Sequence, residues 1–442
     1  MISARIKYSY PYPERTPSMK NVVALIMAGG KGERLMPLTQ NRSKPSIPFG
    51  GIYLLADLTL SNCINSEVYK ILVLPQYKSQ TLIQHLETGW NFFSPSLGHF
   101  LRIVPPQMMK GDKWYQGTAD SIRQNLEMIE AESPSHLLIL SADHVYKMDY
   151  SRFKRYHVAN DADVTIAVIE TSKSQAKEYG VLQVDASFRV TGFQEKPKNP
   201  ATIPGNPDQC LASMGIYLFS AEVLLDLLKT DEKPDFGKDI LPGILNSHKV
   251  VAYPYRRENK IEDVVFFTDS EGSRAAEPVE VAPDSGYWRD VGNLDAYWNA
   301  NMDLTGLTPF FNLYGVRWPI RTAQRQFSPV KTLSVQDPGG GELLHGVARD
   351  SLVSHGSIIG GGTVRNSILS YNVNVHRGAE VDESVVMENV DVGRYCKIKK
   401  AIISDGTKIP ARTEIGYNPK EDRKRFAVTP RGIVVATKKD FE

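Results

Sequence analysis

The sequence has few cysteines, no excess of charge of either sign and no long apolar run. Its three cysteines, Cys63, Cys210 and Cys396, are too few and too far apart for a disulfide framework or a zinc-binding spacing. They predict reduced core thiols in a cytosolic protein. The formal net charge of +2 argues against a nucleic-acid-binding protein, which would show a basic excess. No segment approaches the roughly 20 apolar residues of a membrane span, and Met1–Lys20 lacks the apolar stretch of a signal peptide.

Two different periodicities divide the 442 residues into two expected domains. From residue 21 to residue 304, strand-like apolar runs such as VVALIMAGG (Val22–Gly30) alternate with amphipathic stretches such as Thr118–Ala131. This alternation predicts an α/β domain with a Rossmann-like, mostly parallel sheet that is covered by helices on both faces. Ligands of such sheets bind at the carboxyl ends of the strands. Residues 1–20 are expected to form an N-terminal extension.

The C-terminal part has aliphatic residues at a spacing of 17, three times over. The aligned positions are Leu352, Leu369, Val386 and Ile403. Within each turn apolar residues follow at steps of six, as at Ile358 and Val364. Three short strands per turn, each with one aliphatic residue inside, predict a parallel β-helix over residues 346–442. The hexapeptide pattern resembles the left-handed β-helices of many acyl- and nucleotidyltransferases, and residues 305–345 are predicted to be a linker.

A glycine-rich stretch, MAGGKGERLMPLTQNRSKP (Met27–Pro45), directly follows the first predicted strand. Its loop glycines are Gly29, Gly30 and Gly32. They let backbone N–H groups approach a phosphate chain because no Cβ intervenes, and Arg34 and Lys44 add positive charge. A Rossmann fingerprint would need a third glycine at Leu35, and a Walker loop would need a Lys-Ser/Thr pair, so neither is present. The glycines alone are also compatible with an ordinary strand-to-helix turn.

Three further elements carry polar residues in positions typical of a site. Asp143 stands just past a strand end, where an aspartate is often only a turn or cap residue. Gly117 and Thr118 stand at an expected helix start, where free backbone N–H groups bind anions, although a simple N-cap is also compatible. FQEKP (Phe193–Pro197) carries an adjacent Glu-Lys pair, which on its own is usually a surface ion pair.

Met27–Pro45 closely resembles the G-G-x-G-x-R-L-x-P-L-T-x-x-R-x-K-P pattern of sugar-nucleotide pyrophosphorylases. With WYQGTAD, FQEKP, LASMGIY, DFGKD and YWRDVG following in order, the chain is similar from residue 21 to about residue 435 to the ADP-glucose pyrophosphorylase family, the glucose-1-phosphate adenylyltransferases. The resemblance implies an enzyme that joins glucose 1-phosphate to ATP, giving pyrophosphate and ADP-glucose for glycogen- or starch-type α-glucan synthesis. It also implies a cytoplasmic homotetramer and a sugar-phosphate or nucleotide effector of uncertain identity.

The resemblance also implies roles for individual residues. Asp143 and Asp290 would bind Mg²⁺, which prefers oxygen ligands and takes one or two carboxylates plus substrate phosphates. Arg34 and Lys44 would contact the leaving pyrophosphate, and Lys196 the attacking phosphate. The residues implied to line the nucleotide site are Gly29, Gly30, Gly32, Gln76, Tyr115, Gly117 and Thr118. Those implied to line the sugar-phosphate site are Gly180, Glu195, Lys196 and Ser213.

Several positions depart from the family pattern. Ala142 stands where the family usually has glycine before the metal-binding aspartate, which puts full catalytic efficiency in question. Ile52, Leu54 and Met108 stand where relatives often carry basic residues that bind effectors, so we expect weak or altered activation. Two alternative functions stay open, namely a pyrophosphorylase for another nucleotide or sugar phosphate, and a regulatory subunit with a decayed active site.

Overall fold

The structure, a computed structural model, describes residues 18–107, 114–268, 273–336 and 341–442. Most of the expected N-terminal extension therefore lies outside the described residues, and so does Met108. In the part of the chain that the structure describes, every helix is too short or too polar to cross a bilayer.

The first domain is built around one large sheet with helices on both faces. Its strands are β1 (Val22–Ala28), β2 (Pro48–Phe49), β3 (Tyr53–Leu54), β4 (Lys70–Pro75), β5 (Phe100–Ile103), β6 (His136–Ser141), β7 (His144–Tyr146), β8 (Val164–Ser172), β9 (Gly180–Val184), β10 (Val190–Glu195), β11 (Gln209–Ser220), β12 (Val250–Pro254), β13 (Asp263–Thr268), β14 (Arg274–Val279) and β15 (Trp288–Asp290). Its α-helices are α1 (Leu55–Asn65), α2 (Gln80–Gly89), α3 (Thr118–Arg123), α4 (Leu126–Glu130), α5 (Tyr150–Ala159), α6 (Ala221–Thr230), α7 (Leu241–Ile244), α8 (Tyr255–Glu258) and α9 (Leu294–Met302). Short 3₁₀ turns lie at Glu33–Leu35, Lys44–Ser46, Pro95–Leu97 and Ala176–Glu178, and a π-helical turn at Phe236–Ile240.

Nine strands form the large sheet, and its order confirms the predicted α/β architecture. Seven of them run β10-β9-β11-β6-β1-β4-β5, while β8 pairs with β11 and with β12. The pairs of β1 with β4 and β6, and of β4 with β5, are parallel, whereas β11 is antiparallel to β6 and β8. Strand β1 is buried on both faces, because Val22 and Ala24 pack in one apolar cluster and Val23 and Leu25 in another. Burial on both faces explains why this strand is continuously apolar.

The helix predicted over Thr118–Ala131 is wrong as a single element, because the structure has two short helices there. Helix α3 ends at Arg123 and α4 begins at Leu126, with Asn125 between them at φ −118° and ψ 16°. The Asn125 side chain donates hydrogen bonds to the Ser121 carbonyl and to the Tyr115 hydroxyl. Asparagine side chains compete with the backbone in this way, which interrupts a helix.

The C-terminal domain consists of three sheets of short strands, as a parallel β-helix requires. Its elements are β16 (Lys331–Gln336), β17 (Leu343–His345), β18 (Val347–Arg349), β19 (Leu352–Val353), β20 (Ile358–Gly360), β21 (Thr363–Arg365), β22 (Ile368–Leu369), β23 (Asn374–Val375), β24 (Glu380–Asp382), β25 (Val385–Val386), β26 (Asp391–Val392), β27 (Lys397–Lys399), β28 (Ala401–Ile403), β29 (Lys408–Ile409), β30 (Glu414–Ile415), α10 (Pro419–Arg425), β31 (Ala427–Val428), β32 (Val434–Ala436) and a 3₁₀ turn at Lys438–Phe441. The sheets run β17-β16-β20-β23-β26-β29, β18-β21-β24-β27-β30 and β19-β22-β25-β28-β32-β31. The predicted β-helix is thus confirmed.

The first repeat of the β-helix is one residue shorter than the sequence pattern indicated. Leu369 pairs with Val353 and not with Leu352, whereas the later partners keep the predicted spacing. In the same coil Ile359 is fully buried and pairs with Val375, while Ile358 is 39% exposed. The alignment at Leu352 and the inward position of Ile358 are therefore wrong. A shift of one residue in a strand moves a side chain to the opposite face.

The two domains share an apolar cluster, although the sequence separates them by a predicted linker. Leu58 and Tyr297 of the first domain belong to the same cluster as Ile368, Val385 and Val435 of the β-helix. Strand β16, which lies inside the segment predicted as a linker, already pairs in parallel with β20. The change of periodicity in the sequence therefore does not mark a gap in the packing between the two domains.

Candidate active site

The glycine-rich loop leaves the carboxyl end of β1 and bends at Gly32, which has φ 65°. A Cβ on Gly32 would lie 2.8 Å from Cγ2 of Thr39, whose hydroxyl donates to the Gly32 carbonyl at 2.8 Å. A side chain at position 32 would therefore be strained and crowded. Among the described residues, apart from its two chain neighbours, no atom lies within 4 Å of a Cβ placed on Gly30, so the loop backbone is open at that point.

Two aspartates from distant parts of the sequence meet beside this loop. Asp143 lies two residues after the end of β6, with Ala142 between, and Asp290 is the last residue of β15. Strand β15 pairs antiparallel with β7, which sets Asp290 opposite His144. The pairing of these two short strands brings both carboxylates to the carboxyl end of the parallel strands, where such sheets bind ligands.

A single ammonium group joins the two carboxylates. Lys44 Nζ lies 2.7 Å from Asp143 Oδ2 and 3.3 Å from Asp290 Oδ1, and the lysine side chain is only 11% exposed. The Ser141 hydroxyl donates a short hydrogen bond to the other oxygen of Asp143. Burial alone would lower the pKa of Lys44, but Asp143 and Asp290 raise it above its usual value. Burial raises the pKa of Asp143, but Lys44 and His144 lower it more, so the carboxyl stays ionised.

A pocket of about 240 Å³ opens next to Asp290. It is lined by Gly180 on β9, Glu195 on β10 and Ser213 on β11. Gly180 pairs with Glu195 across the two strands, and a Cβ on Gly180 would lie 2.4 Å from the Phe193 ring. Burial raises the pKa of Glu195, although Lys196 acts in the opposite direction. The pocket therefore combines hydrogen-bonding groups with an apolar wall beside the carboxylate pair.

Comparisons with known proteins find relatives over nearly the whole chain. Residues 23–306 match the family model for nucleotidyl transferases, and residues 338–436 match the model for GlmU-like C-terminal hexapeptide repeats. A glucose-1-phosphate adenylyltransferase of Rhodopirellula baltica is 42% identical over 95% of this chain and 90% of its own length. The corresponding enzyme of Paramagnetospirillum magneticum is 44% identical, and glucose-1-phosphate adenylyltransferase 1 of Alkalilimnicola ehrlichii 46%, each over 95% of this chain and 94% of its own length. This chain belongs to the glucose-1-phosphate adenylyltransferase family.

Membership of this family makes the protein a nucleotidyltransferase, and the β-helix is of the left-handed hexapeptide type.

Ala142, which departs from the family pattern, packs in the core next to Asp143. Ala142 is fully buried, and its N–H donates to the Met27 carbonyl at 3.2 Å. Its methyl group packs within the apolar cluster on one face of the sheet.

Some residues that the adenylyltransferase resemblance implied lie at the edge of the site. Lys196 is 60% exposed at the rim of the pocket, with its ammonium 3.8 Å from Glu195 Oε1. Arg34 is 61% exposed and forms an ion pair with Glu178 at 3.2 Å. A Cβ on Gly292 would lie 3.2 Å from Arg34 Nη2 and 3.0 Å from Asp290 Oδ2, so the guanidinium and the Asp290 carboxylate both lie close to Gly292.

The WYQGTAD segment contributes less than the sequence indicated. The Tyr115 ring is buried in the core, and its hydroxyl donates to the Val104 carbonyl, so its side chain does not face the loop. Its carbonyl instead accepts a hydrogen bond from Gln76, and Gln76 lies against Gly29. Gly117 packs on Pro234, whose carbonyl accepts from the N–H groups of residues 119 and 120. The N–H groups of residues 119 and 120 are therefore not free at this helix start, and the Thr118 hydroxyl accepts a hydrogen bond from the Phe236 N–H at 3.2 Å.

His144 and Trp288 complete the site, although they are not among the site residues expected from the sequence. His144 Nε2 lies 3.6 Å from Asp143 Oδ1 and 3.8 Å from Asp290 Oδ1. The His144 ring packs edge-on against Trp288 at 5.3 Å between centroids. His144 Nδ1 is buried without a hydrogen-bond partner among the described residues. The position of His144 directly after Asp143 was the available signal.

The β-helix contacts the helix that follows Asp290 in the sequence. Helix α9 begins shortly after Asp290, and the Asn293 side chain caps it by accepting from Ala296 N at 2.9 Å. From the β-helix side, Thr429 donates to Asp295 at 2.5 Å, and the Trp298 indole donates to the Glu383 carbonyl at 2.8 Å. The helix that follows Asp290 is thus held by contacts between the two domains.

Two of the positions that sequence analysis related to effector binding line a cavity between the domains. Ile52 and Leu54 face a space of about 350 Å³ that is also lined by Arg42 and Arg325. Arg42 forms an ion pair with Asp405 at 2.5 Å, and Arg325 forms one with Glu388. Both guanidinium groups in this cavity therefore already have acidic partners on the β-helix.

Proposed function

We propose that the protein transfers the adenylyl group of ATP to glucose 1-phosphate, giving ADP-glucose and pyrophosphate. Asp143 and Asp290 both contact the Lys44 ammonium. They do so beside a pocket lined by Gly180, Glu195 and Ser213, and this observation carries the proposal. The relatives named for this activity cover nearly the whole chain and support it. ADP-glucose made in this way would supply α-glucan synthesis.

The carboxylate pair fits Mg²⁺. Among the described residues, no group of three or more His, Cys, Asp or Glu is arranged to hold a metal. Two carboxylates with hard oxygen donors match an ion that completes its coordination with water and substrate phosphates. Asp143 and Asp290 would hold the ion, which when bound would neutralise phosphate charge at the reacting phosphorus.

In the proposed reaction a phosphate oxygen of glucose 1-phosphate forms a bond to the α-phosphorus of ATP, and the bond from that phosphorus to the bridging oxygen of pyrophosphate breaks. The attacking oxygen is already an anion, so the protein has to position two polyanions and offset their repulsion. Lys196 at the pocket rim would hold the attacking phosphate. Arg34 and the N–H groups of the glycine loop would hold the leaving pyrophosphate.

A matrix of initial rates tests the proposed reaction. Pyrophosphate release is measured with five nucleoside triphosphates, each paired with the 1-phosphates of glucose, mannose and glucosamine, in the presence of Mg²⁺. We expect the highest kcat/KM for ATP with glucose 1-phosphate. A clear preference for another pair would identify a different pyrophosphorylase. No release with any pair, from folded protein, would identify a regulatory subunit.

We further propose a cytoplasmic homotetramer. Leu307 and Phe310 are 83% and 73% exposed, and such exposed apolar side chains support burial against another subunit. The three cysteines are free and buried, which fits a reducing compartment. Sedimentation velocity of the purified protein tests the tetramer, and a monomer at micromolar concentration would contradict it.

A further inference from the structure

Lys44 occupies the position between the two carboxylates that the proposed function assigns to the metal. Its ammonium contacts one oxygen of Asp143 and one oxygen of Asp290, and its side chain is nearly buried. With two carboxylates and one ammonium the cluster has a net charge of about −1. A divalent cation on the same oxygens would be repelled by an ammonium that stayed in contact with them.

The backbone of Lys44 is held in place, so only its side chain is free to move. Lys44 begins a 3₁₀ turn in which the Ile47 N–H donates to its carbonyl at 3.1 Å. The hydroxyls of Ser43 and Ser46 are hydrogen-bonded to each other at 2.7 Å across the same turn. Any movement of the ammonium therefore takes place by rotation within the four-carbon stem.

The stem of Lys44 starts beside the phosphate-binding loop. The Cβ of Lys44 lies 3.4 Å from the position of a Cβ on Gly32. The same side chain therefore begins at the loop and ends at the carboxylates. A flexible four-carbon stem with this anchor can turn its ammonium toward a phosphate bound at the loop instead of toward Asp143.

We propose that Lys44 is a resident counter-cation of the carboxylate pair, and that it moves to the nucleotide phosphates when the metal binds. Metal and nucleotide are then coupled through one side chain, because nucleotide draws the ammonium away and metal takes its place. By linkage, each ligand raises the affinity for the other by the same factor. This inference rests on the proposed function of the site.

Manganese binding to the free enzyme tests the inference without relying on turnover. The Mn²⁺ affinity is measured by electron paramagnetic resonance, first without nucleotide and then with α,β-methylene-ATP. We expect Lys44→Met to bind Mn²⁺ about tenfold more tightly than the wild type without nucleotide, and to lose most of the enhancement by nucleotide. A purely structural role of Lys44 would lower the metal affinity or leave it unchanged.

Arg34→Met is the matched control, because it removes a cation near Asp290 that does not contact the carboxylates. A similar gain in both variants would mean a general charge effect and would overturn the inference, as would unchanged Mn²⁺ affinity in Lys44→Met. If Lys44→Met does not fold, the Mn²⁺ affinity of Lys44→Gln, which keeps a neutral donor, is measured instead. The same results then support or overturn the inference. Binding that is insensitive to Asp290→Asn would instead refute the proposed metal site itself.

Discussion

Replacing Asp143 with asparagine keeps the shape of the side chain and removes its charge. In Asp143→Asn the amide oxygen still accepts a hydrogen bond from the Ser141 hydroxyl. Lys44 Nζ still has Asp290 Oδ1 as a partner, which lies 3.3 Å away in the wild type. The fold is therefore expected to survive the change. Because Lys44 and His144 hold the pKa of Asp143 below its usual range, the wild-type carboxylate is charged at any pH at which the enzyme works.

The size of the effect follows from the missing charge. Two unit charges about 4 Å apart interact by about 4 kcal/mol at an effective dielectric constant near 20. The amide dipole retains part of that interaction, so about 3 to 4 kcal/mol of transition-state stabilisation is lost. At 1.36 kcal/mol per factor of ten, kcat falls by about a hundredfold to a thousandfold.

The assay is pyrophosphate release at saturating ATP, glucose 1-phosphate and Mg²⁺. Asp226→Asn on α6 is the matched control, since Asp226 is exposed and lies outside the pocket residues, and its turnover is expected to be normal. Circular dichroism verifies that both variants are folded. Turnover of a folded Asp143→Asn protein within about threefold of the wild type would refute the charge argument.

Three further predictions concern the sugar site, control and acid stability. Lys196→Ala is expected to raise the KM for glucose 1-phosphate far more than that for ATP, because it removes ground-state binding at the rim; equal effects in steady-state kinetics would contradict this. Fructose 1,6-bisphosphate is expected to change the rate little at subsaturating ATP, because Ile52 and Leu54 cannot donate charge-assisted hydrogen bonds; activation of about tenfold would refute it. Burial lowers the pKa of His157 to about 3 and that of His136 to about 4, so the unfolded chain takes up protons first as the pH falls below 6.5. The free energy of unfolding should then fall by up to about 2 kcal/mol per histidine between pH 6.5 and 5. Urea titrations of the wild type and His157→Gln test this, and equal pH slopes would contradict it.

Periodicity was sufficient to predict the two architectures because each depends on regular burial. Strand β1 is apolar at every residue that meets either core, and the β-helix repeats one inward residue per short strand. The error at Ile358 arose because the first repeat is a residue shorter, and regular spacing carries no information about such an insertion or deletion. The break at Asn125 depends on contacts of its side chain with Ser121 and Tyr115, which helical spacing does not reveal.

For the candidate site, too, the sequence predicted some features while others depended on the fold. That Asp143 and Asp290 would meet was inferred from family resemblance, and the cause is the pairing of β7 with β15, two strands too short to stand out in the sequence. The burial of Tyr115 and the capture of N–H groups by the Pro234 carbonyl depend on segments remote in sequence. Motifs thus identified which segments approach the site, whereas the direction of each side chain required the fold.

The apolar cluster shared by the two domains implies that they melt as one unit. Neither Tyr297 nor Val435 can leave this cluster without exposing the apolar surface of the other domain to water. Heating should therefore produce a single cooperative transition in which turnover and β-sheet signal disappear together. A fragment that ends before Lys331 would present the face around Leu58 to solvent and should aggregate. The β-helix is thus expected to stabilise the catalytic domain against heat as well as to pack against it.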